Sequence, residues 1–503
     1  MALKVSAYAI NFIAFANSTA TDRSGNVYVT GNMGGPYITF GTITLTNPTN
    51  NQTYMYIVKY DSNGAVLWAR SSGGTGSNGA SRIAIDKTGN VYVSGMFTGP
   101  SITFTTLTGL TTLQYAGGIY NDIFIVKYDA SGNVLWAQGA GGTINDEPAG
   151  LATDGSGNVY VTGYFNSPSI IFGGTSFTNT GTAGPDMFIV KYDANGNVIW
   201  AETAGGSGND EGLGIARDNS GNVYVTGYFS SSHITFGETT LNNAGGNDIF
   251  IVKYDTNGNP IWAVSAGGSA TDWALGVATD GSGNVYVTGG FMSPTITFGT
   301  FTLINAGSGY LDMFIVKYDP SGNVLWAKNA GGSSRDVGNS VTTDANGNVF
   351  VAGQFMSTSI TFGTITLKNP KGNTTNGYDM FIVKYTANGN VPWAKTAVLS
   401  TSKPKSANAG INDPPANEIT VYPNPTSGKV VVSSANSLSV ITSIAVFNIT
   451  GKEALSRQSA ACLPDRQVGS QQIEFDLSAQ PKGIYIVLIK AGDNYYRRKI
   501  IVE

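Results

Sequence analysis

A unit of about 64 residues recurs six times between residue 1 and about residue 398 of this chain. Every unit contains two turns of the pattern D-x-x-G-N. The first turn begins at Asp22, Asp86, Asp154, Asp218, Asp280 and Asp344, and the second begins at Asp61, Asp129, Asp193, Asp255, Asp319 and Thr386. Self-similarity at this period is typical of stacked supersecondary units, so the repeat restricts the fold before any single site is considered.

Both turns lie between stretches such as NVYVTG and FIVKYD, which are rich in strand-forming residues. Glycine can supply positive φ, and Asp can bond its own downstream backbone, as a tight hairpin requires. Each unit therefore predicts four antiparallel strands, A to D, joined by an A–B turn and a C–D turn. Only the stretch from B to C varies in length, from 21 residues (Gly227 to Asp248) to 27 (Gly95 to Asp122), so we expect variation to concentrate on one face.

Four short antiparallel strands repeated around an axis describe the blade of a β-propeller, in which radial repetition protects the sheet edges. A linear solenoid is the alternative, but β-solenoids usually climb by parallel coils. The sequence therefore predicts an all-β fold with a β-propeller of six complete four-stranded blades. The Trp of each strand D, such as Trp68, and the Phe-x-Val-x-Tyr face of strand C are predicted to fill the space between blades.

The pattern D-x-x-G-N-V-Y-V-T-G, followed by F-I-V-K-Y-D-x-x-G-N-V-L-W-A, resembles the bacterial SBBP β-propeller repeat over residues 1–398. That resemblance implies seven blades, whereas six complete units are present. Lys4 precedes Asp22 by 18 residues, the offset of each strand D Trp from the next turn, so residues 2–5 align with strand D of a further unit. Either that seventh unit is truncated, which we favour, or residues 2–5 close the ring on the last blade. The same alignment argues against a signal peptide in residues 1–16.

The composition changes after the last repeat. Residues 399–417 are rich in Ser, Pro, Lys, Asn and Ala, which is typical of a flexible linker, and residues 418–503 alternate in the manner of a small Ig-like β-sandwich. The last segment is similar to the type A C-terminal sorting domain of type IX (Por) secretion through Pro423, Asn424, Pro425, Gly428, Gly483, Tyr485 and Lys499. The resemblance implies contact with the type IX secretion machinery, passage across the outer membrane, removal of this domain, and release or attachment to the cell surface. The alternative is that these residues only shape turns of an adhesive domain.

Composition excludes several classes of function. Charged residues make up 12% of the chain and the net charge is −4 without a Lys/Arg cluster, so nucleic acid is not expected as a partner. No stretch approaches the roughly 18 to 20 apolar residues of a membrane span. The single Cys462 excludes an internal disulfide, and the single His233 argues against a multi-histidine metal site or a catalytic triad. No cofactor is expected; oxygen ligands could bind Ca²⁺, but no motif supports it.

The strongest candidate site is a carboxylate on strand A, eight residues before the A–B turn, where strand A is expected to line the central channel. This position holds Asp146, Asp210, Asp272 and Asp336, with Asn78 in the second unit. The next position varies and holds Gly79, Glu147, Glu211, Trp273 and Val337. Such a ring would suit a cation or a polyhydroxylated ligand, whereas capping of the D-to-A loop explains the aspartates equally well. Asp122, Asp186, Asp248, Asp312 and Asp379, with the recurrent lysines of strand C, are interpreted as turn caps or interblade ion pairs.

These observations favour a secreted or surface-attached binding or scaffold protein whose ligand is a glycan or a protein. An extracellular lyase or glycosidase is the first alternative, because a fold does not determine its function. That enzyme would need the non-repeating side chains Arg82, Glu147, Glu211, Arg217, Trp273 and Arg335 to gather in one pocket. A purely structural surface protein is the second alternative.

Overall fold

The chain divides into two compact units, Met1–Val398 and Leu399–Glu503, which are described separately. The structure is a computed structural model. It describes residues 14–49, 52–114, 116–117, 120–181, 184–307, 309–370, 377–397, 419–422, 429–434, 441–448, 453–458, 471–491 and 494–502. The predicted linker, residues 399–417, and the proposed extra strand, residues 2–5, lie outside the described residues.

The described residues of the first unit form six blades, each with four antiparallel strands in the order A-B-C-D. In blade 2 these four strands belong to a seven-stranded sheet, because the hairpin between strands B and C also pairs with strand D in parallel, at Thr106 and Val134. Blade 1 comprises β1 (Ala14–Thr21), β2 (Val27–Met33), β3 (Tyr37–Phe40), β4 (Ile43–Thr46), β5 (Tyr54–Tyr60) and β6 (Val66–Ser71). Blade 2 comprises β7 (Gly73–Gly74), β8 (Asn78–Ile85), β9 (Val91–Phe97), β10 (Ser101–Thr106), β11 (Gly109–Gln114), β12 (Asp122–Tyr128) and β13 (Val134–Ala140). Blade 3 comprises β14 (Asp146–Thr153), β15 (Val159–Phe165), β16 (Ser169–Phe172), β17 (Thr175–Thr178), β18 (Asp186–Tyr192) and β19 (Val198–Ala204).

The remaining three blades repeat this plan. Blade 4 comprises β20 (Asp210–Arg217), β21 (Val223–Phe229), β22 (His233–Phe236), β23 (Thr239–Asn242), β24 (Asp248–Tyr254) and β25 (Pro260–Ala266). Blade 5 comprises β26 (Asp272–Thr279), β27 (Val285–Phe291), β28 (Thr295–Phe298), β29 (Phe301–Ile304), β30 (Asp312–Tyr318) and β31 (Val324–Ala330). Blade 6 comprises β32 (Asp336–Thr343), β33 (Val349–Phe355), β34 (Ser359–Phe362), β35 (Ile365–Lys368), β36 (Asp379–Tyr385) and β37 (Trp393–Ala397). The predicted β-propeller is confirmed.

The D-x-x-G-N turns close as predicted. In the first of them, Asp22 Oδ1 accepts the backbone N–H groups of Ser24 and Asn26 at 2.9 and 3.0 Å, and Oδ2 accepts the Asn26 side-chain amide at 2.7 Å. Gly25 takes a φ of 76°, which a residue with a Cβ adopts only under strain. The carboxylate of Asp22 therefore accepts hydrogen bonds from within its own turn.

A short hairpin, which we call the connecting hairpin, lies within each B-to-C connection. In blade 1 it pairs Tyr37–Phe40 with Ile43–Thr46, and Gly41 between them has a φ of 57°. From the sequence, this stretch was expected only to be a connection of variable length. The alternation I-T-F-G in four of the units would have predicted the hairpin, because an apolar, polar, apolar run before glycine is typical of a turn between strands.

Tryptophan and lysine join each blade to the next. Trp68 Nε1 and Lys59 Nζ of blade 1 both donate to the carbonyl of Ala130 in the C–D turn of blade 2, at 3.1 and 3.2 Å. The Trp68 ring stacks on Tyr128 of blade 2 with centroids 6.5 Å apart. The same pair of donors acts at four further junctions, through Trp136 and Lys127 to Ala194, Trp200 and Lys191 to Thr256, Trp262 and Lys253 to Pro320, and Trp326 and Lys317 to Ala387.

The strand C lysines therefore act mainly by hydrogen bonds to carbonyls, not by the interblade ion pairs that the sequence suggested. Among the described residues only Lys59 approaches a carboxylate as an ion pair, at 3.9 Å from Asp22. The reason is that each turn carboxylate is already occupied by its own Asn and backbone, while the lysine chain lies over the strand B tyrosine, as Lys59 does over Tyr28 at 4.9 Å.

One face of blade 6 differs from the same face of the other blades. Met313 and Ile315 of blade 5 are fully buried against blade 6, whereas their counterparts Met380 and Ile382 in blade 6 are 61% and 42% exposed. Across the described residues, no backbone–backbone hydrogen bond of the turns and loops joins blade 6 to blade 1. The apolar strand C of blade 6 is therefore only half covered.

Strand A of all six blades lines one central channel, as the sequence predicted. A cavity of about 490 Å³ there is lined by residues from every blade, including Ser18, Arg82, Gly150, Ile215 and Ser340. A β-bulge interrupts strand A in each blade, between Pro148 and Gly150 in blade 3 for example. The bulge changes which side chains face the neighbouring blade, and this decides where the candidate residues lie.

The second unit is a two-sheet β-sandwich, as the sequence predicted. One sheet contains β38 (Ile419–Tyr422), β39 (Lys429–Ser434) and β42 (Gln471–Asp476), and the other contains β40 (Ile441–Asn448), β41 (Glu453–Gln458), β43 (Gly483–Ala491) and β44 (Asn494–Val502). Val430 and Val432 from the first sheet pack with Ile444, Val487 and Ile500 from the second. No helix among the described residues of the chain has the length and hydropathy that crossing a bilayer requires.

Candidate functional site

The strand A aspartates Asp146, Asp210, Asp272 and Asp336 are completely buried at one end of the channel wall. Asp146 Oδ2 accepts the Ser167 hydroxyl at 2.8 Å, and Oδ1 accepts the backbone N–H groups of Asn166 and Ser167, each at 3.1 Å. Asp210, Asp272 and Asp336 bind Ser231, Ser293 and Ser357 in the same way. Each aspartate thus caps the start of the B-to-C connection in its own blade, and Asp146, Asp210 and Asp272 also interact with the backbone of the D-to-A loop, as the sequence suggested.

Burial makes these aspartates weaker acids than an exposed aspartate. It raises the pKa of Asp146 to about 6 and that of Asp336 to about 7, because desolvation of the charged form outweighs the hydrogen bonds that favour it. Asn78 replaces the carboxylate in blade 2, where its Oδ1 accepts the Met55 backbone N–H at 2.9 Å and the Ser72 hydroxyl. Ligand binding by these five residues stays a prediction, and their oxygens already have partners within the fold.

The strand C aspartates Asp122, Asp186, Asp248 and Asp312 are caps as well. Oδ2 of Asp122 accepts the Ala116 backbone N–H at 2.7 Å, and Gly141 leaves room for the carboxylate, because a Cβ there would lie 2.1 Å from Oδ1. Burial, and then the charge of Asp146 in the next blade, raises the pKa of Asp122 to about 7. Carboxylates of consecutive blades therefore meet at the junction and disfavour each other's charge.

The residues that follow the strand A aspartates form a different environment. Glu147, Glu211 and Trp273 are half-buried and lie at the same end of the channel, one position further along strand A. Strand register pairs Glu147 with Tyr164 and Glu211 with Tyr228. We call Glu147, Tyr164, Glu211, Tyr228, Trp273 and Arg335 the mouth cluster, because together they extend across blades 3 to 6 at one end of the channel.

Electrostatic interactions and ring contacts connect the members of the mouth cluster. The Tyr164 hydroxyl lies near the charges of Glu147 and Glu211, and the Tyr228 hydroxyl lies near the charge of Glu211. Tyr228 contacts Trp273 with ring centroids 6.3 Å apart, and the Arg335 guanidinium carbon lies 5.4 Å from the Trp273 ring centroid. The cluster is thus one continuous surface of two carboxylates, three aromatic rings and one cation.

The electrostatics of the two glutamates differ. Burial raises the pKa of Glu211, and the charges of Glu147 and Asp210 raise it further, against the effect of the Tyr228 hydroxyl. Glu147 accepts the Asn121 side-chain amide at 3.2 Å. Two donors of the cluster, Trp273 Nε1 and Arg335 Nε, are buried and have no hydrogen-bond partner in the part of the chain that the structure describes. The cluster therefore keeps unused hydrogen-bonding capacity.

Four of the six non-repeating residues singled out in the sequence gather here, and two do not. Arg82 lies within the channel, and Arg217 lies at the far end of strand A, where it acts on Asp154 and Tyr160 of blade 3. Tyr164 and Tyr228 were not predicted as site residues from the sequence. Hairpin register could have found them, because the residue opposite the variable strand A position also varies and is Asn32, Met96, Tyr164, Tyr228, Gly290 or Gln354.

The sorting residues belong to the second unit. Tyr485 is buried in β43, and its hydroxyl donates to the Pro481 carbonyl at 2.7 Å, while Gly483 begins that strand and Lys499 pairs with Ile486. Pro423, Asn424, Pro425 and Gly428 lie outside the described residues. Among the described residues, no three His, Cys, Asp or Glu side chains come together as a metal site requires, and no observation tests the expectation on cofactors.

Comparison with known proteins identifies both parts of the chain. A family described as a secretion system C-terminal sorting domain matches residues 420–503, and a family described as a β-propeller repeat matches residues 136–168 and 199–231. An uncharacterized WD repeat-containing protein of Acanthamoeba polyphaga mimivirus is 26% identical over 443 residues, which cover 74% of this chain and 32% of the relative. The regulatory protein FlaEY of Caulobacter vibrioides is 30% identical over 140 residues, which cover 28% of this chain and 14% of the relative. The chain thus spans a third or less of these relatives.

Solved structures give weaker similarities. Sqt1 from Chaetomium thermophilum is 9% identical with a TM-score of 0.34, covering 74% of this chain and 87% of its own. A quinoprotein alcohol dehydrogenase-like protein from Bacteroides thetaiotaomicron is 10% identical with a TM-score of 0.25, covering 78% and 97%. Superpositions of this extent carry no argument about activity. The family matches identify SBBP-type β-propeller repeats within residues 136–231 of the repeated blades and a Por (type IX) secretion sorting domain at residues 420–503, which indicates export.

Proposed function

We propose that this protein is an exported binding protein whose mouth cluster holds a glycan. The observation that carries this proposal is the combination of an indole ring with unused donors and acceptors at non-repeating positions of one channel end. Sugar hydroxyl groups both donate and accept hydrogen bonds, so they can bind the carboxylates of Glu147 and Glu211. The N–H groups Trp273 Nε1 and Arg335 Nε are buried and reach a ligand only after their side chains move.

The electrostatics and the aromatic rings favour a glycan over a protein partner. A sugar ring presents an apolar face of C–H groups, which packs against an aromatic ring such as Trp273, while its rim of hydroxyls reaches the polar groups around it. The strand A aspartates support the cluster from behind by capping the loops around it, and we assign them no contact with the ligand. After export, the protein is either released or attached to the cell surface.

Binding of the full-length chain to a panel of extracellular polysaccharides tests the proposal, with Trp273→Ala and Glu211→Gln measured in parallel. Removal of a central aromatic contact typically weakens binding tenfold or more, so we expect saturable binding that falls at least tenfold in Trp273→Ala. Tyr37→Ala is the matched control, because Tyr37 is an exposed aromatic residue on the connecting hairpin of blade 1. Binding that is unchanged in both cluster variants would refute the assignment of the site.

A glycosidase is the second candidate. It is supported by one observation, the proximity of Glu147 and Glu211 with a raised pKa on Glu211, because glycoside hydrolysis uses a protonated carboxyl group as acid beside an ionised carboxylate. The two candidates differ in their response to Glu211→Gln. In an enzyme, that change would abolish release of reducing sugar while retaining ligand affinity, whereas a binding protein releases no reducing sugar in any form.

A further inference from the structure

Arg82 stands alone as a charged side chain in the central channel. Of the residues that line the cavity of about 490 Å³, it is the only one that carries a charge. The equivalent positions of the other blades hold small residues, namely Ser18, Gly150, Gly214, Gly276 and Ser340, which also line the cavity. At the level of Arg82, the other five blades therefore line the cavity with three glycines and two serines.

The charge of Arg82 has no counterion within the described part of the chain. Its Nη1 donates to the Ser81 carbonyl at 3.1 Å, and no carboxylate lies within ion-pair distance. The side chain of Arg82 is exposed to the water of the channel, and the surrounding channel wall lowers its pKa, because the wall replaces part of the water that stabilises the charge. An arginine in such a setting has four N–H groups available for an anion and binds carboxylates and similar groups by paired hydrogen bonds.

The channel begins directly below the mouth cluster. Leu213 and Leu275 line the cavity and follow Glu211 and Trp273 by only two residues. Arg82 lies two register steps further along strand A than Gly79, the blade 2 counterpart of Glu211, because the bulge between Ala80 and Arg82 takes up one residue. It therefore lies about 7 Å below the mouth at the usual rise of a strand. That depth is within reach of a sugar unit attached to one held at the mouth.

We infer that Arg82 binds an acidic group of the ligand, and hence that the glycan is anionic. This inference rests on the proposed function. The acidic group is a carboxylate, as in a uronic acid, or a sulfate or phosphate ester; all three present oxygens that match the guanidinium. The anion lies in the channel, away from Glu147 and Glu211, whose negative charges bind neutral hydroxyls at the mouth.

A matched pair of ligands tests the inference. The full-length chain is titrated calorimetrically with a galacturonic acid oligosaccharide and with the same oligosaccharide after reduction of its carboxyl groups. We expect the acidic form to bind at least tenfold more tightly, and this preference to fall with rising NaCl because ions screen the pair. In Arg82→Gln the preference should fall to within about twofold, a change of the size that loss of one charged hydrogen-bonded pair produces.

Arg23→Gln removes the same charge from the exposed A–B turn of blade 1 and should retain the full preference. Sulfated and phosphorylated oligosaccharides identify which acid is preferred. Equal affinity for the acidic and the reduced ligand, or a preference that persists in Arg82→Gln, would overturn the inference and leave the proposed function intact. If no oligosaccharide binds, or if only an acidic peptide competes for the channel, both proposals are wrong.

Discussion

The half-covered face of blade 6 allows a matched pair of substitutions, Ile315→Ala and Ile382→Ala. The two residues occupy the same position of strand C in consecutive blades, opposite Thr288 and Ala352 respectively. Ile315 is completely buried at the junction of blades 5 and 6, whereas Ile382 is 42% exposed. Because burial is the main difference between the two sites, the pair measures what an interblade contact contributes to stability.

The expected magnitudes follow from this burial. Truncation of a fully buried isoleucine removes its transfer free energy and leaves a cavity, which costs about 2 to 5 kcal/mol. Ile382→Ala removes three carbons that are little more than half buried, at about 0.8 kcal/mol for each fully buried methylene, and leaves no enclosed cavity. We therefore expect a cost of about 1 to 1.5 kcal/mol for Ile382→Ala and at least twice that for Ile315→Ala.

Urea unfolding monitored by tryptophan fluorescence measures both costs on the propeller alone, because all seven tryptophans precede residue 398. The slope of the transition should stay unchanged in both variants, so that the shift of the midpoint reports stability. If both substitutions reduce the free energy of unfolding equally, the prediction is wrong. That result would mean that another part of the protein covers Ile382 as blade 6 covers Ile315.

Two further predictions concern the caps and the turns. Burial raises the pKa of Asp122 to about 7 in the folded protein, above its value in the unfolded chain. The contribution of Asp122 to stability is therefore complete below about pH 4 and is lost as the pH rises through about 7. Thermal unfolding between about pH 4 and 8 should show a falling Tm, with a smaller fall in Asp122→Asn. In urea unfolding, Gly196→Ala should destabilise the propeller by about 1 to 3 kcal/mol more than Gly174→Ala. Both glycines have φ near 88°, but only a Cβ at residue 196 would contact Trp136, at 2.9 Å. A rising Tm, or equal costs at the two glycines, would contradict these assignments.

The sequence predicted the features of the fold that depend on local chemistry. The turn at Asp22 needs only its own Asn26 and Gly25, so its geometry follows from the repeat alone. The interblade role of Trp68 was also predictable, because a large apolar side chain repeated once per unit must be buried between units. The sorting domain was identified by motifs in a fixed order at the end of the chain.

The candidate site could be predicted only in part, because it depends on register and on the strand A bulge. Asp146 and Glu147 are consecutive, yet one is buried as a cap and the other lies in the mouth cluster, since alternate residues of a strand point to opposite sides. The partner of Glu147, Tyr164, is 17 residues distant and becomes its neighbour only through strand pairing. Arg82 was visible as a deviant residue, but its isolation depends on residues from all six blades.

Tryptophan fluorescence during a glycan titration reports whether a glycan binds at the mouth cluster. Trp273 is the tryptophan of the mouth cluster, whereas Trp68, Trp136, Trp200, Trp262 and Trp326 lie at the interblade junctions. A glycan that binds by calorimetry should change the fluorescence saturably, with the same affinity, in the native protein and in Tyr37→Ala, and the change should vanish in Trp273→Phe. Calorimetric binding without a fluorescence change, or a change that persists in Trp273→Phe, would contradict the account.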